Sequence, residues 1–164
     1  MTGYDLIIKR MFNDTPQRIF RAWTAPEELM KWWGPRGFTS PVCLLDLRVG
    51  GEYQFCSRSP QGVDFWSRGV FREITPGQKL VLADSFSDAA GNVIAASSVG
   101  LPGGWPSTLT VILTFEERLG KTIFTLEHKG LPFEMITSCR AGWNEALDKL
   151  QVVINNKQRS MNRI

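Results

Sequence analysis

The chain has 164 residues, of which 43% are hydrophobic and 21% charged, with 19 basic and 16 acidic side chains for a formal charge of +3. That length suits one domain with its own core, and no apolar run approaches the roughly 18 residues of a membrane helix, so membrane insertion is not expected. Basic residues are interspersed with acidic ones, which argues against nucleic acid as a partner, while three scattered cysteines (Cys43, Cys56, Cys139) and a single histidine offer neither a disulfide framework nor a multi-histidine metal site.

No metal or cofactor is therefore expected. The segment Met1–Asp5 lacks the basic and apolar regions of a secretory signal, and with reduced thiols this points to the cytoplasm.

A first strand is predicted from Leu6 to Met11, ending near Asn13-Asp14. Thr15-Pro16 reads as a helix start, because threonine caps free N–H groups and proline at the first helical position loses no hydrogen bond. Ile19, Phe20 and Trp23 follow at helical spacing. Pro26-Glu27-Glu28 repeats the signal, and Leu29, Trp32 and Trp33 at i, i+3 and i+4 place both tryptophans in the last turn of a short helix. Gly34 then supplies a left-handed terminus and Pro35 blocks continuation.

From Val42 the pattern changes to period two. Cys43, Leu45 and Leu47 share one face, and after the Gly50-Gly51 turn Tyr53 and Phe55 share one, which predicts a hairpin. Further strands are predicted from Val63 to Ile74 and from Lys79 to Phe86, separated by Pro76-Gly77. Residues 87–106 show little regular pattern and read as a long loop, a candidate lid or interaction surface. Trp105 and the apolar residues near it mark that loop as a candidate homodimer interface. The next strand runs from Ser107 to Glu116 with Leu109, Val111, Leu113 and Phe115 inward; in the one after it Phe124, Leu126 and His128 share a face. Beyond Pro132, Ile136, Cys139, Trp143, Leu147, Leu150 and Ile154 form one helical stripe. The polar residues 155–164 are expected to fray, leaving one domain over residues 1–164.

The phrases Arg21-Ala22-Trp23-Thr24, Lys31-Trp32-Trp33-Gly34-Pro35, Asp46-Leu47-Arg48-Val49-Gly50-Gly51, Gly69-Val70-Phe71-Arg72-Glu73-Ile74 and Gly142-Trp143 carry a resemblance to the activator of heat-shock-protein-90 ATPase homologue-like family, part of the START-related, birch-pollen-allergen-like superfamily. The resemblance implies an α+β helix-grip fold: a curved antiparallel sheet wrapped around a long C-terminal helix, with two short helices after the first strand. It also implies an apolar cavity between sheet and helix, which relatives use for lipids, polyketides and other hydrophobic molecules. The loop resembles a subgroup that often carries His and Tyr where this chain has Ser98 and Val99. The co-chaperone that lends the family its name adds an N-terminal domain, whereas this chain starts at the first strand, so co-chaperone activity is not expected.

The expected partner is thus a hydrophobic or aromatic small molecule, and the candidate ligand-binding residues are Trp32, Trp33, Tyr53, Phe55, Phe71, Leu82, Phe124, Leu126, His128 and Trp143. Of the two adjacent tryptophans, one is expected in the core and the other at the rim of the cavity. His128 is the candidate proton carrier should the protein be an enzyme of the cyclase or hydrolase type, because imidazole alone titrates near neutrality unaided. A structural strand-end role competes with that reading. Asp84 and Glu73 could reach the cavity, but strand carboxylates more often serve as solvated pairs with residues such as Arg68 and Arg72. An interaction module working through the long loop is the third alternative.

Overall fold

The computed structural model describes residues 3–102 and 104–162, of which 157–162 are described as helix backbone alone. Gly103 of the long loop and Arg163 and Ile164 of the expected tail lie outside the described residues. Period-two patterning yields seven strands: β1 (Tyr4–Phe12), β2 (Thr39–Leu45), β3 (Glu52–Arg58), β4 (Asp64–Thr75), β5 (Lys79–Ser87), β6 (Leu109–Arg118) and β7 (Lys121–Leu131). They form one antiparallel sheet in the order β1-β7-β6-β5-β4-β3-β2, so β2 to β7 make a meander and β1 returns to the far edge against β7. Helices α1 (Pro16–Thr24) and α2 (Pro26–Leu29) follow β1, and α3 (Ile136–Asn162) follows β7. This is the helix-grip α+β architecture.

The core lies between the sheet and α3. Leu109, Val111, Leu113 and Phe115 of β6, and Phe124, Leu126 and His128 of β7, are all buried, as their alternation requires. From α3, Leu147, Leu150 and Ile154 are fully buried in the same cluster. Ile136, Cys139 and Trp143, nearer the start of the helix, are only partly buried. The helix therefore closes on the sheet along its later turns and stands off it along its earlier ones.

Local rules explain most element ends. The Thr15 hydroxyl accepts from the Arg18 backbone N–H at 3.3 Å, with Pro16 at the first helical position. The helix expected to carry both tryptophans in its last turn instead ends at Leu29. The Trp32 N–H donates to the Leu29 carbonyl, an i−3 bond that tightens the chain, and Gly34 at φ +94° completes the turn away. Leu47, expected to share a strand face with Cys43 and Leu45, is exposed, because β2 stops at Leu45 and the approach to Gly51 forms a turn closed by Asp46 N–H to Glu52 O. The strand expected from Ser107 starts at Leu109, and the preceding loop includes a 3-10 turn at Ala96–Val99. Helix α3 extends through Asn162, and residues 155–162 contain neither Gly nor Pro to stop it.

Candidate functional site

The stand-off at the start of α3 encloses a cavity of about 260 Å³. Its floor comes from the sheet: Phe65, Trp66 and Ser67 of β4, Leu82, Asp84, Ser85 and Phe86 of β5, Leu109 and Val111 of β6, and His128 of β7. Its roof is Cys139, Gly142, Trp143 and Ala146 of α3. Gly142 borders open space, since a β-carbon there would meet nothing within 4 Å. One rim is Trp33-Gly34-Pro35 with Ser57; the other is Trp105 of the long loop, packed edge-on to Phe86 at 5.3 Å.

Of the candidate residues, Trp33, Leu82, His128 and Trp143 line this cavity. Trp32, Tyr53, Phe55, Phe71, Phe124 and Leu126 do not; all are buried in the packed core beside it. Strand parity gives the face of a residue but not whether the helix is close above it. The two tryptophans divide as their chemistry suggests. Trp32 is fully buried and donates its indole N–H to the Ala22 carbonyl at 3.1 Å, while Trp33 is partly buried at the rim. That rim is fixed from α3. The Lys149 ammonium donates to the carbonyls of Trp33, Pro35 and Phe38 at 3.4, 3.1 and 3.3 Å, and Glu145 accepts from the Arg36 N–H at 3.0 Å.

Asp84 is the acid in this apolar chamber, and its surroundings differ from the solvated pairing expected of it. Arg68 instead pairs with Glu52 and the Gly91 carbonyl, and Glu73 pairs with Lys79 at 3.5 Å. Asp84 accepts a 2.5 Å hydrogen bond from the Tyr53 hydroxyl. The two residues sit on β5 and β3, with β4 between them, and Gly69 is the cross-strand neighbour of both. Tyr53 can reach across only because position 69 has no side chain: a β-carbon there would fall 2.3 Å from the phenol oxygen. Burial pushes the Asp84 carboxyl up to about 7, with the Tyr53 hydrogen bond pulling the other way. Tyr53 is itself raised well above its ordinary value, by burial and then by the neighbouring carboxyl, so it stays a donor.

His128 differs from expectation in the opposite sense. It is buried, and its Nδ1 accepts the Trp143 indole N–H at 3.0 Å, which puts the ring proton on Nε2. Burial lowers its pKa to about 4, and the indole already occupies the lone pair that a second proton would take. It is a neutral hydrogen-bonding group near pH 7, and the cavity group that titrates near neutrality is Asp84. From the sequence Asp84 could reach the cavity but ranks as a solvated pair; its parity with Leu82 and Phe86 and a glycine in mid-strand β4 favour the cavity. Among the described residues, no three His, Cys, Asp or Glu side chains come together in a way that could hold a metal ion.

The family described as Activator of Hsp90 ATPase homolog 1-like protein matches residues 13–155. Among solved structures, protein CV1439 from Chromobacterium violaceum is 26% identical with a TM-score of 0.76, over 92% of this chain and 96% of that one. Protein Ms6760 from Mycobacterium smegmatis is 22% identical with a TM-score of 0.76, over 92% and 90%. The AHSA1 protein from Silicibacter pomeroyi is 23% identical with a TM-score of 0.74, over 94% and 99%. No protein of curated function matches the chain.

Proposed function

The chain belongs to the Activator of Hsp90 ATPase homolog 1-like family, and on that premise we propose that it binds a small hydrophobic or aromatic molecule in the cavity between its sheet and α3. The observation that carries this reading is a cavity of about 260 Å³ walled mainly by aromatic and aliphatic side chains, with Asp84 and His128 as polar anchors. Binding sites of this kind combine apolar walls with a few placed polar groups. A cavity of about 150 Å³ accommodates benzene, so this one suits a body of one or two rings, slightly below the usual range of about 300 to 1,000 Å³.

The test is direct. Native mass spectrometry of the protein as purified should reveal a bound small molecule, and single- and double-ring aromatics should raise the melting temperature. Gly142→Phe, which fills the cavity from the helix side, should abolish both effects. Loss of neither would remove the cavity from the account.

An enzymatic reading is favoured by one specific observation, the Asp84 carboxyl held near neutrality within the cavity, where a group of that pKa can give or take a proton. Once the bound molecule is known, its conversion by the wild type and not by Asp84→Asn separates catalysis from binding alone. A homodimer through the long loop rested on Trp105, which here packs on Phe86 and lines the cavity of its own chain; the reading above needs one chain only. No helix among the described residues is long and apolar enough to cross a membrane, and the free thiols at Cys43, Cys56 and Cys139 fit a cytoplasmic setting.

A further inference from the structure

The cavity is electrostatically one-sided. Among the described residues its walls hold one carboxyl, Asp84, and neither lysine nor arginine. His128 does not supply the missing positive charge, because its Nδ1 is committed to the Trp143 N–H in a buried setting. The hydrogen bond from Tyr53 engages Asp84 Oδ1, and among the described residues no other hydrogen bond reaches the carboxyl. The same cavity is lined by the rings of Trp33, Phe65, Trp66, Phe86, Trp105 and Trp143.

These features discriminate between charge classes of ligand. Aromatic faces carry partial negative charge and attract a cation. A carboxylate or phosphate drawn into this chamber would meet a second acid and no counter-ion, and burying an unpaired charge is costly. A protonated nitrogen would meet both a carboxylate oxygen and electron-rich rings. We propose that the cavity selects a lipophilic amine, a body of one or two rings whose ammonium or protonated ring nitrogen seats on Asp84. This rests on reading the cavity as a binding site and narrows that reading to one charge class, setting carboxylic acids and phosphorylated lipids aside.

The protonation state of the empty site fits the assignment. Without a counter-ion burial leaves the Asp84 carboxyl about half protonated at neutral pH, and an arriving cation favours its ionised form. The titratable groups that face it are Tyr53 from β3, His128 from β7 and Cys139 from α3, the last raised by burial to about 11; β4 presents Gly69 and β6 presents Leu109 and Val111. None of these turns positive near pH 7.

Three ligands of nearly the same shape test the proposal: naphthylmethylamine, naphthylmethanol and naphthoic acid, titrated calorimetrically into the whole chain at slightly alkaline pH. The amine is expected to bind at least about 10-fold tighter than the alcohol, the increment of a charged hydrogen bond, with the acid weakest. Asp84→Asn keeps an acceptor for Tyr53 and is expected to lose the preference for the amine over the alcohol, read as the ratio of the two affinities within the variant. An amine no tighter than the alcohol, or a preference that survives Asp84→Asn, overturns the charge assignment and leaves the cavity reading standing. Failure of all three to bind the folded wild type overturns the cavity reading, and the amine assignment with it.

Discussion

Asp84→Asn should tilt the dependence of stability on pH in one direction and His128→Gln in the other. Burial raises the Asp84 carboxyl from 3.8 to about 7, so the folded protein keeps a proton that the unfolded chain releases. Its stabilising contribution is fully present below about pH 3.8 and is lost as pH rises through about 7. At about 1.4 kcal/mol per pH unit, that shift amounts to about 4 kcal/mol. His128 is lowered from 6.5 to about 4 by burial, so the folded protein refuses a proton that the unfolded chain accepts. Its contribution is present above pH 6.5 and is lost as pH falls toward about 4, an amount of about 3 kcal/mol. Between about pH 4 and 6.5 the two slopes oppose and largely cancel in the wild type. Relative to the wild type, Asp84→Asn should therefore gain stability as pH rises from about 4 to 7, and His128→Gln should gain it as pH falls from 6.5 to about 4. Urea unfolding followed by tryptophan fluorescence across this range gives both curves, and subtracting the wild type at each pH removes exposed pairs such as Arg58–Asp64. A difference curve that stays level with pH, for either variant, would show that its side chain titrates folded as it does unfolded, and the account of the cavity electrostatics would be wrong.

Gly69→Ala places a β-carbon 2.3 Å from the Tyr53 hydroxyl oxygen and 2.4 Å from the Ala83 carbonyl; it should cost about 1 to 3 kcal/mol in urea unfolding and should be non-additive with Tyr53→Phe, since both remove the same hydrogen bond. Gly142→Ala meets no neighbour and sits within α3, so it should stabilise the protein by about 0.5 to 1 kcal/mol in the same assay; a loss would show that the helix needs the glycine for another reason. Trp143→Phe removes the indole N–H from His128 Nδ1 and should raise the histidine pKa above about 4, read by proton NMR from the ring of the single histidine.

The sheet was legible because alternation on β6 and β7 is uninterrupted: Leu109, Val111, Leu113 and Phe115, then Phe124, Leu126 and His128, all turn inward. The stripe on α3 and the Thr15-Pro16 helix start were equally readable, since each depends on neighbours in sequence. The cavity was not. Its extent depends on where α3 lifts from the sheet, and an aromatic at Phe124 looks the same in sequence as one at Phe65, though the first is packed core and the second is wall. The Tyr53–Asp84 bond depends on the register that brings Gly69 between them, which is set by pairing across three strands; the mid-strand glycine hints at a close approach but does not name the partners.

The two rims of the cavity are anchored unequally. The rim bearing Trp33 is tied to α3 by an ammonium holding three carbonyls and by Glu145 on a backbone N–H. At the opposite rim, the hydrogen bonds seen among the described residues of the segment 98–106 stay within the loop, from Ser98 N–H to Ala95 O through to the Trp105 indole on Pro102 O. If the cavity holds a ligand as proposed, the rim at Trp105, whose indole packs on Phe86, is the one whose displacement would open it. On that proposal, changes in the loop would alter how fast the chamber fills and empties while leaving Asp84 and His128 in its wall untouched.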